Sequence, residues 1–234
     1  MVPTYETALI VGAGEGLSAS LVRILTGEGG MRVALAARNA EKLRDLAKET
    51  DAAAFACDAS DPSQVEALFA EAERHFGTPP DVVVYNPSAR LRGPLVELDP
   101  AGVERVLAVT AHGGFLVAQA AARRMLPRGN GAILFTGASA SVKGYPGSAP
   151  FAMGKFALRG LAQSIARELA PLGIHVAHFV IDGAIRSARR PEPADAPDSM
   201  LDPDAIARSY LHVLRQDRSA WTWEVEFRPW VERF

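Results

Sequence analysis

The sequence predicts an α/β protein: one doubly wound, mostly parallel sheet of seven strands with helices on both faces. Three observations predict it. Short apolar, β-branched runs alternate with longer helical patterns along the whole chain. The runs are apolar nearly throughout, as strands covered on both faces require. A glycine-rich segment, "VGAGEG", stands directly between the first run and the first helical pattern. The length of 234 residues suits one domain with a sizeable core. No internal boundary or repeat divides it, so a single domain over 1–234 is expected.

The elements follow in order. Strands are expected at Thr7–Val11, Arg32–Ala36, Ala52–Ala56, Asp81–Tyr85, Gly131–Thr136 and Ile174–Ile181. Asp61-Pro62, Asp99-Pro100 and Asp202-Pro203 each offer an N-cap carboxylate followed by proline at the first helical position. The stretch "APFAMGKFALRG" opens a helix in which Leu158, Leu161, Ile165 and Leu169 form a buried stripe. Trp221, Trp223, Val225 and Phe227 alternate on one face, which fits an edge strand, and the trailing Trp230 and Phe234 read as core or interface packing. Residues 186–204, rich in Pro, Ala, Asp and Arg, follow the last long strand. There they would lie over the carboxyl ends of the strands, as a lid or as a plain surface linker.

Composition narrows the function. A net charge of −2 without single-sign runs gives no reason to expect nucleic acid or an anionic membrane as partner. The one cysteine, Cys57, allows no internal disulfide and is compatible with a reducing cytosol. No segment approaches the roughly 20 apolar residues of a membrane span, and no signal peptide is read at the start. A cytoplasmic protein is expected. His175 and His178 sit three apart on a strand, hence on opposite faces, and imply no metal site.

The glycine segment has the context of a dinucleotide phosphate site: strand, tight turn, helix N-terminus. Gly12, Gly14 and Gly16 supply three glycines, but a G-x-G-x-x-G pattern would want glycine at Leu17. The bland alternative is a glycine-rich turn with no ligand. The second strand leads into Ala37 and Arg38, where an acid would favour the ribose 2′-hydroxyl of NAD. A guanidinium there suits the 2′-phosphate of NADP, although Arg38 could equally be a solvated charge. Glu15 inside the loop argues against phosphate by repulsion.

With these segments in view, the chain resembles the short-chain dehydrogenase/reductase family over nearly its full length. That family's T-G-x-x-x-G-x-G loop maps onto Val11 to Ser18, with Gly12 and Gly16 matching and Val11 and Ser18 departing. "CDASD" (57–61), "YNPSA" (85–89), "GYPG" (144–147) and "KFALRGLAQSIARELAPLGIHV" are similar in order and spacing. The resemblance implies a Rossmann-type fold and a nicotinamide dinucleotide, with Arg38 favouring NADP over NAD. It places cofactor contacts at Gly12, Gly14, Glu15, Gly16, Leu17, Arg38, Asp58, Asn86, Lys155 and Ile185. It also implies a homodimer or homotetramer paired through the helices that hold Gln119 and Lys155.

The family's catalytic set is Asn, Ser, Tyr and Lys, and here it is depleted. Those positions fall on Thr110, Ala138, Phe151 and Lys155, of which only Lys155 matches. Losing a positioned general acid typically costs about 10²–10⁴-fold in rate, so ordinary tyrosine-based carbonyl reduction is not expected. Candidate replacements are Ser139, Ser141, Tyr145, His112 and Asp182, each with a plain structural alternative: a turn hydroxyl, a packed ring, a satisfied charge. Two functions stay open. One is an atypical NADP(H)-dependent oxidoreductase acting on a small molecule; the other is a non-catalytic dinucleotide-binding, regulatory or scaffold protein on the same fold.

Overall fold

Every expected strand forms, and the sheet is parallel throughout rather than mostly so. The computed structural model describes residues 2–232, so Phe234 lies outside the described residues. The strands are β1 (Thr7–Val11), β2 (Arg32–Ala37), β3 (Ala53–Ala56), β4 (Val82–Tyr85), β5 (Gly131–Thr136), β6 (Ile174–Ile181) and β7 (Glu224–Phe227). Their order across the sheet is 3-2-1-4-5-6-7, with every neighbouring pair parallel. The order reverses between β1 and β4, the switch point at which such sheets leave a crevice beyond their carboxyl ends.

Alternate strand residues feed two cores. Ala8, Ile10, Val33, Leu35, Val84 and Phe179 pack under α1 (Leu17–Gly27) and α7 (Pro203–Leu214). Leu9, Val11, Val83, Tyr85 and Phe135 face α3 (Pro62–Phe76), α5 (Gly113–Met125) and α6 (Ala149–Leu169). Two-sided coverage is why the strands carry no polar alternation. The remaining helices are α2 (Arg44–Thr50) and α4 (Pro100–Leu107).

The three Asp-Pro starts work as the sequence indicates. The side chains of Asp61, Asp99 and Asp202 each accept backbone N–H bonds from the first turn of α3, α4 and α7. Two details of the reading change. The buried stripe of α6 is Leu158, Ala162, Ala166 and Leu169, with Leu161 and Ile165 half-buried at its flank. Small alanines let the helix backbone approach the layer beneath, which rotates the most buried line toward them. Trp230 is 81% exposed and belongs to no core. The edge strand begins only at Glu224, since Trp221 stacks on His175 and Trp223 lies beneath the Arg159 guanidinium.

Between α4 and α5 the helix continues through a π turn, Ala108–His112, with the buried Thr110 at its centre. Such π bulges often mark functional positions, because the extra residue re-aims the side chains around it. Among the described residues no helix is long and apolar enough to cross a membrane, and no cluster of three or more His, Cys, Asp or Glu could hold a metal.

Candidate active site

A cleft of about 640 Å³ opens at the switch point. Its walls include Gly12, Gly14, Glu15, Gly16, Arg38, Asp58 and Asn86, seven of the positions expected to hold a cofactor. Gly12 has a positive φ of 80° and packs so close to Pro87 that a Cβ would sit 2.5 Å from its nitrogen. Gly12 is therefore required by both conformation and contact. A Cβ at Gly14 or Gly16 would meet nothing within 4 Å, so these two leave open space in front of the turn. Helix α1 starts beyond Gly16 with no side-chain cap, which leaves its first N–H groups for another acceptor.

Ser18, where the family has glycine, is explained by its neighbours. Its hydroxyl donates to Gly12 O at 3.3 Å, and Asn86 Nδ2 donates to Ser18 Oγ at 2.8 Å and to Gly12 O at 3.1 Å. Asn86 thus braces the glycine turn across the switch point as well as lining the cleft. The Leu17 side chain is buried in the core of α1, so only its backbone could reach a ligand.

At the adenosine end, Arg38 and Asp58 face the cleft together with Asn39 and Lys42, two residues that sequence reasoning missed. Lys42 sits in the short turn Ala40–Leu43, four residues past Arg38, and is recognisable only once that turn is placed. Asp58 accepts from the Ser60 hydroxyl and backbone N–H; these bonds and the nearby Arg38 hold its carboxyl below the usual range. Glu15, an objection to phosphate in the sequence, is paired with Arg189 at 2.9 Å. Ser187, Ala188 and Arg189 complete the cleft wall, which places part of the 186–204 segment over the strand ends.

Beyond the cleft lie the tetrad positions. Lys155 is 2% exposed, and its Nζ donates to Thr136 O at 2.7 Å. Burial, reinforced by the Arg90 charge, pushes its pKa down to about 7. Thr110 Oγ1 accepts the Ala89 N–H at 3.3 Å and presses against Gly154, where a Cβ would come within 2.9 Å of Thr110 Cβ. Phe151 is buried at the start of α6, and the Arg90 guanidinium lies over its ring at 4.5 Å. Ala138 is half-buried. Ile185 forms a bridge with Leu201 whose hydrogen bonds use Ala184 and Arg186, so the N–H of Ile185 is left out of it.

The candidate replacements for the tyrosine are dispersed. Ser141 is fully buried and bonded to His178 Nε2 at 3.3 Å, while His178 Nδ1 meets Glu224 Oε2 at 3.0 Å. Burial holds His178 neutral, with a pKa of about 4, so Nδ1–H donates to Glu224 and Nε2 accepts the serine hydroxyl. Glu224 is gripped in turn by two Arg159 bonds of 2.6 and 2.7 Å. This chain fastens β7 and α6 to the β5 exit and is closed to a substrate. Asp182 is buried between Lys143 (2.9 Å) and Arg228 (3.3 Å). His112 is exposed and stacked on Phe115, and Tyr145 is exposed beside Lys143. Among the described residues, neither Ser139 nor Tyr145 is hydrogen-bonded to Lys155.

Fold and cleft together define a dinucleotide-binding protein of the doubly wound α/β class. Residues 6–192 match the short chain dehydrogenase family, and the chain belongs to that family of oxidoreductases. Versicolorin reductase 1 of Aspergillus parasiticus is 34% identical over 189 residues, covering 78% of this chain and 70% of the fungal protein. The crystal structure of a short-chain dehydrogenase from Rhodopseudomonas palustris superposes with a TM-score of 0.83 at 35% identity, covering 96% of this chain and 99% of that one. A metagenomic short-chain oxidoreductase solved in complex with NADP is similar at a TM-score of 0.83 and 28% identity, covering 97% and 98%.

Proposed function

We propose that the protein is an NADP(H)-dependent oxidoreductase that acts on a small molecule without the family's tyrosine-based proton transfer. The observation that carries this reading is the cleft at the switch point, open in front of Gly14 and Gly16 and bordered at its far end by Arg38 and Lys42. The pyrophosphate is assigned to the glycine turn and the uncapped start of α1. The two cations suit a 2′-phosphate, and the Glu15–Arg189 pair offsets the one carboxylate in the loop. Asp58 is assigned to the adenine, Lys155 to the nicotinamide ribose, and the N–H of Ile185 to the carboxamide. When bound, the nicotinamide group supplies a hydride donor or acceptor. The chain's residues bind and orient it; Phe151 and Ala138 offer no group that could move a proton to the substrate oxygen.

The same two residues keep a second reading in view, a non-catalytic dinucleotide-binding or regulatory role. Calorimetric titration separates the outcomes. NADPH is expected to bind more tightly than NADH, and Arg38→Ala to weaken NADPH by about tenfold while changing NADH little. Absence of binding by either nucleotide at millimolar concentration would overturn the cofactor assignment and the oxidoreductase reading with it. A cytoplasmic location fits the lone buried Cys57. For assembly we propose a homodimer, or a tetramer built from it, paired through α5 and α6, whose outer faces expose Phe115, Gln119 and Phe156.

A further inference from the structure

We propose that Arg90 is the substrate-anchoring residue of this site and that the substrate carries a carboxylate, bound by the guanidinium that rests on Phe151. The inference deepens the reading above and rests on it.

The first ground is geometry. Among five arginine–aromatic contacts in the described residues, Arg90 over Phe151 is the shortest, at 4.5 Å. The benzene ring at the tyrosine position is therefore the floor on which a cation lies. An Arg stacked on an aromatic face keeps its in-plane N–H donors free for a planar anion, and a carboxylate matches that fork with two parallel bonds. Arg90 is an exposed residue, although it rests against the ring.

The second ground is charge. Arg90 is crowded by Arg92 on its own loop and by Arg190 from the segment after β6; their charges, after burial, press its pKa below the ordinary value. Among the described residues none of these three arginines has an ion pair with a carboxylate. The other arginines of the 186–204 segment are matched, Arg186 to Asp202 and Arg189 to Glu15. The charges of Arg92 and Arg190 thus act on Arg90 from two loops without a counter-ion, and an anionic ligand relieves that repulsion.

The third ground is how the loop is held. The residue before Arg90 gives its N–H to Thr110 Oγ1, and Gly93 gives its own to Gly147 O at 3.1 Å. The loop is thus tied on both sides of Arg90, once to the π turn and once to the segment leading into α6. Of the departures from the family's tetrad, Thr110 ties the backbone beside Arg90 and Phe151 lies under its guanidinium. A guanidinium keeps its protons at neutral pH, so Arg90 anchors and orients; it is not a proton donor in turnover.

The test uses benzoate as the carboxylate probe and benzamide as its neutral isostere, titrated by ligand-observed NMR into the full-length protein with and without NADP⁺. The wild type is expected to bind benzoate at least about tenfold more tightly than benzamide. Arg90→Gln removes that preference, Arg90→Lys keeps part of it, and both leave NADP⁺ affinity within about twofold. Equal binding of the two probes by the wild type, or a preference that survives Arg90→Gln, overturns the proposal. A protein that binds benzoate through Arg90 but takes no NADP⁺ would sink the oxidoreductase reading and leave the anion site standing. NADP⁺ affinity that falls with Arg90→Gln would assign the guanidinium to the nucleotide and overturn the substrate role.

Discussion

At the scale of single residues, Lys155 shows how a site works against stability. A lysine that is 2% exposed, with one carbonyl partner and a guanidinium nearby, has its pKa brought down to about 7. In the unfolded chain the same group stays protonated up to about pH 10.4. Folding at or below pH 7 therefore carries the cost of burying its charge or of releasing its proton. Lys155→Met keeps the length and removes that cost. Its unfolding free energy at pH 7 is expected to rise by about 1–3 kcal/mol in urea titrations, while NADPH affinity drops. A variant less stable than the wild type would mean that the bond to Thr136 O outweighs the desolvation. The position of Lys155 near the start of α6 was legible in the sequence, because motif spacing fixes its register. Arg90 was not, because three loop residues separate it from Asn86 and only the tied conformation of that loop lays it on Phe151.

At the scale of elements, the strands and the Asp-Pro helix starts were legible because each is written locally, in apolar runs and in cap chemistry. The π turn was not, since no local signal distinguishes "LAVTAHGG" from an ordinary helix. It arises where Thr110 must meet both the Ala89 N–H and the face of α6 at Gly154. Gly154→Ala tests that contact. The added methyl would sit 2.9 Å from Thr110 Cβ, and the expected loss of stability is about 1–3 kcal/mol with weaker binding of a carboxylate probe. A neutral result would show that the helix slides aside. The buried chain Ser141–His178–Glu224–Arg159 adds a pH dependence. His178 stays neutral in the fold down to about pH 4, whereas in the unfolded chain it takes up a proton near 6.5. The unfolded state thus binds more protons between those values, and stability falls as pH drops from about 6.5 to 4. His178→Gln should flatten that part of the melting-temperature profile; an unchanged slope would place its origin elsewhere.

At the scale of the whole molecule, strand order creates the crevice, and the segments leaving β1, β2, β3, β4 and β6 supply most of its walls. Sequence spacing brought most of the expected positions to the cleft wall, because the strands end in fixed register. It missed Asn39 and Lys42, which depend on how a short turn folds back, whereas it did put the 186–204 segment, whose Ser187 to Arg189 line the cleft, over the strand ends. The outer faces of α5 and α6 bear on assembly: Phe156→Glu should convert a dimer to monomers in sedimentation equilibrium, and a wild-type monomer would refute that interface. The central claim is that the chain keeps a working dinucleotide site while the family's tyrosine-based proton chemistry is gone. The most direct measurement compares NADPH oxidation by the wild type and the double variant Ala138→Ser, Phe151→Tyr, with both saturated in NADPH and offered the same uncharged ketones and aldehydes. The account predicts equal NADPH binding, a negligible wild-type rate, and a gain of about 10²-fold or more in the double variant. A wild type that reduces those carbonyls as fast as the double variant would contradict it.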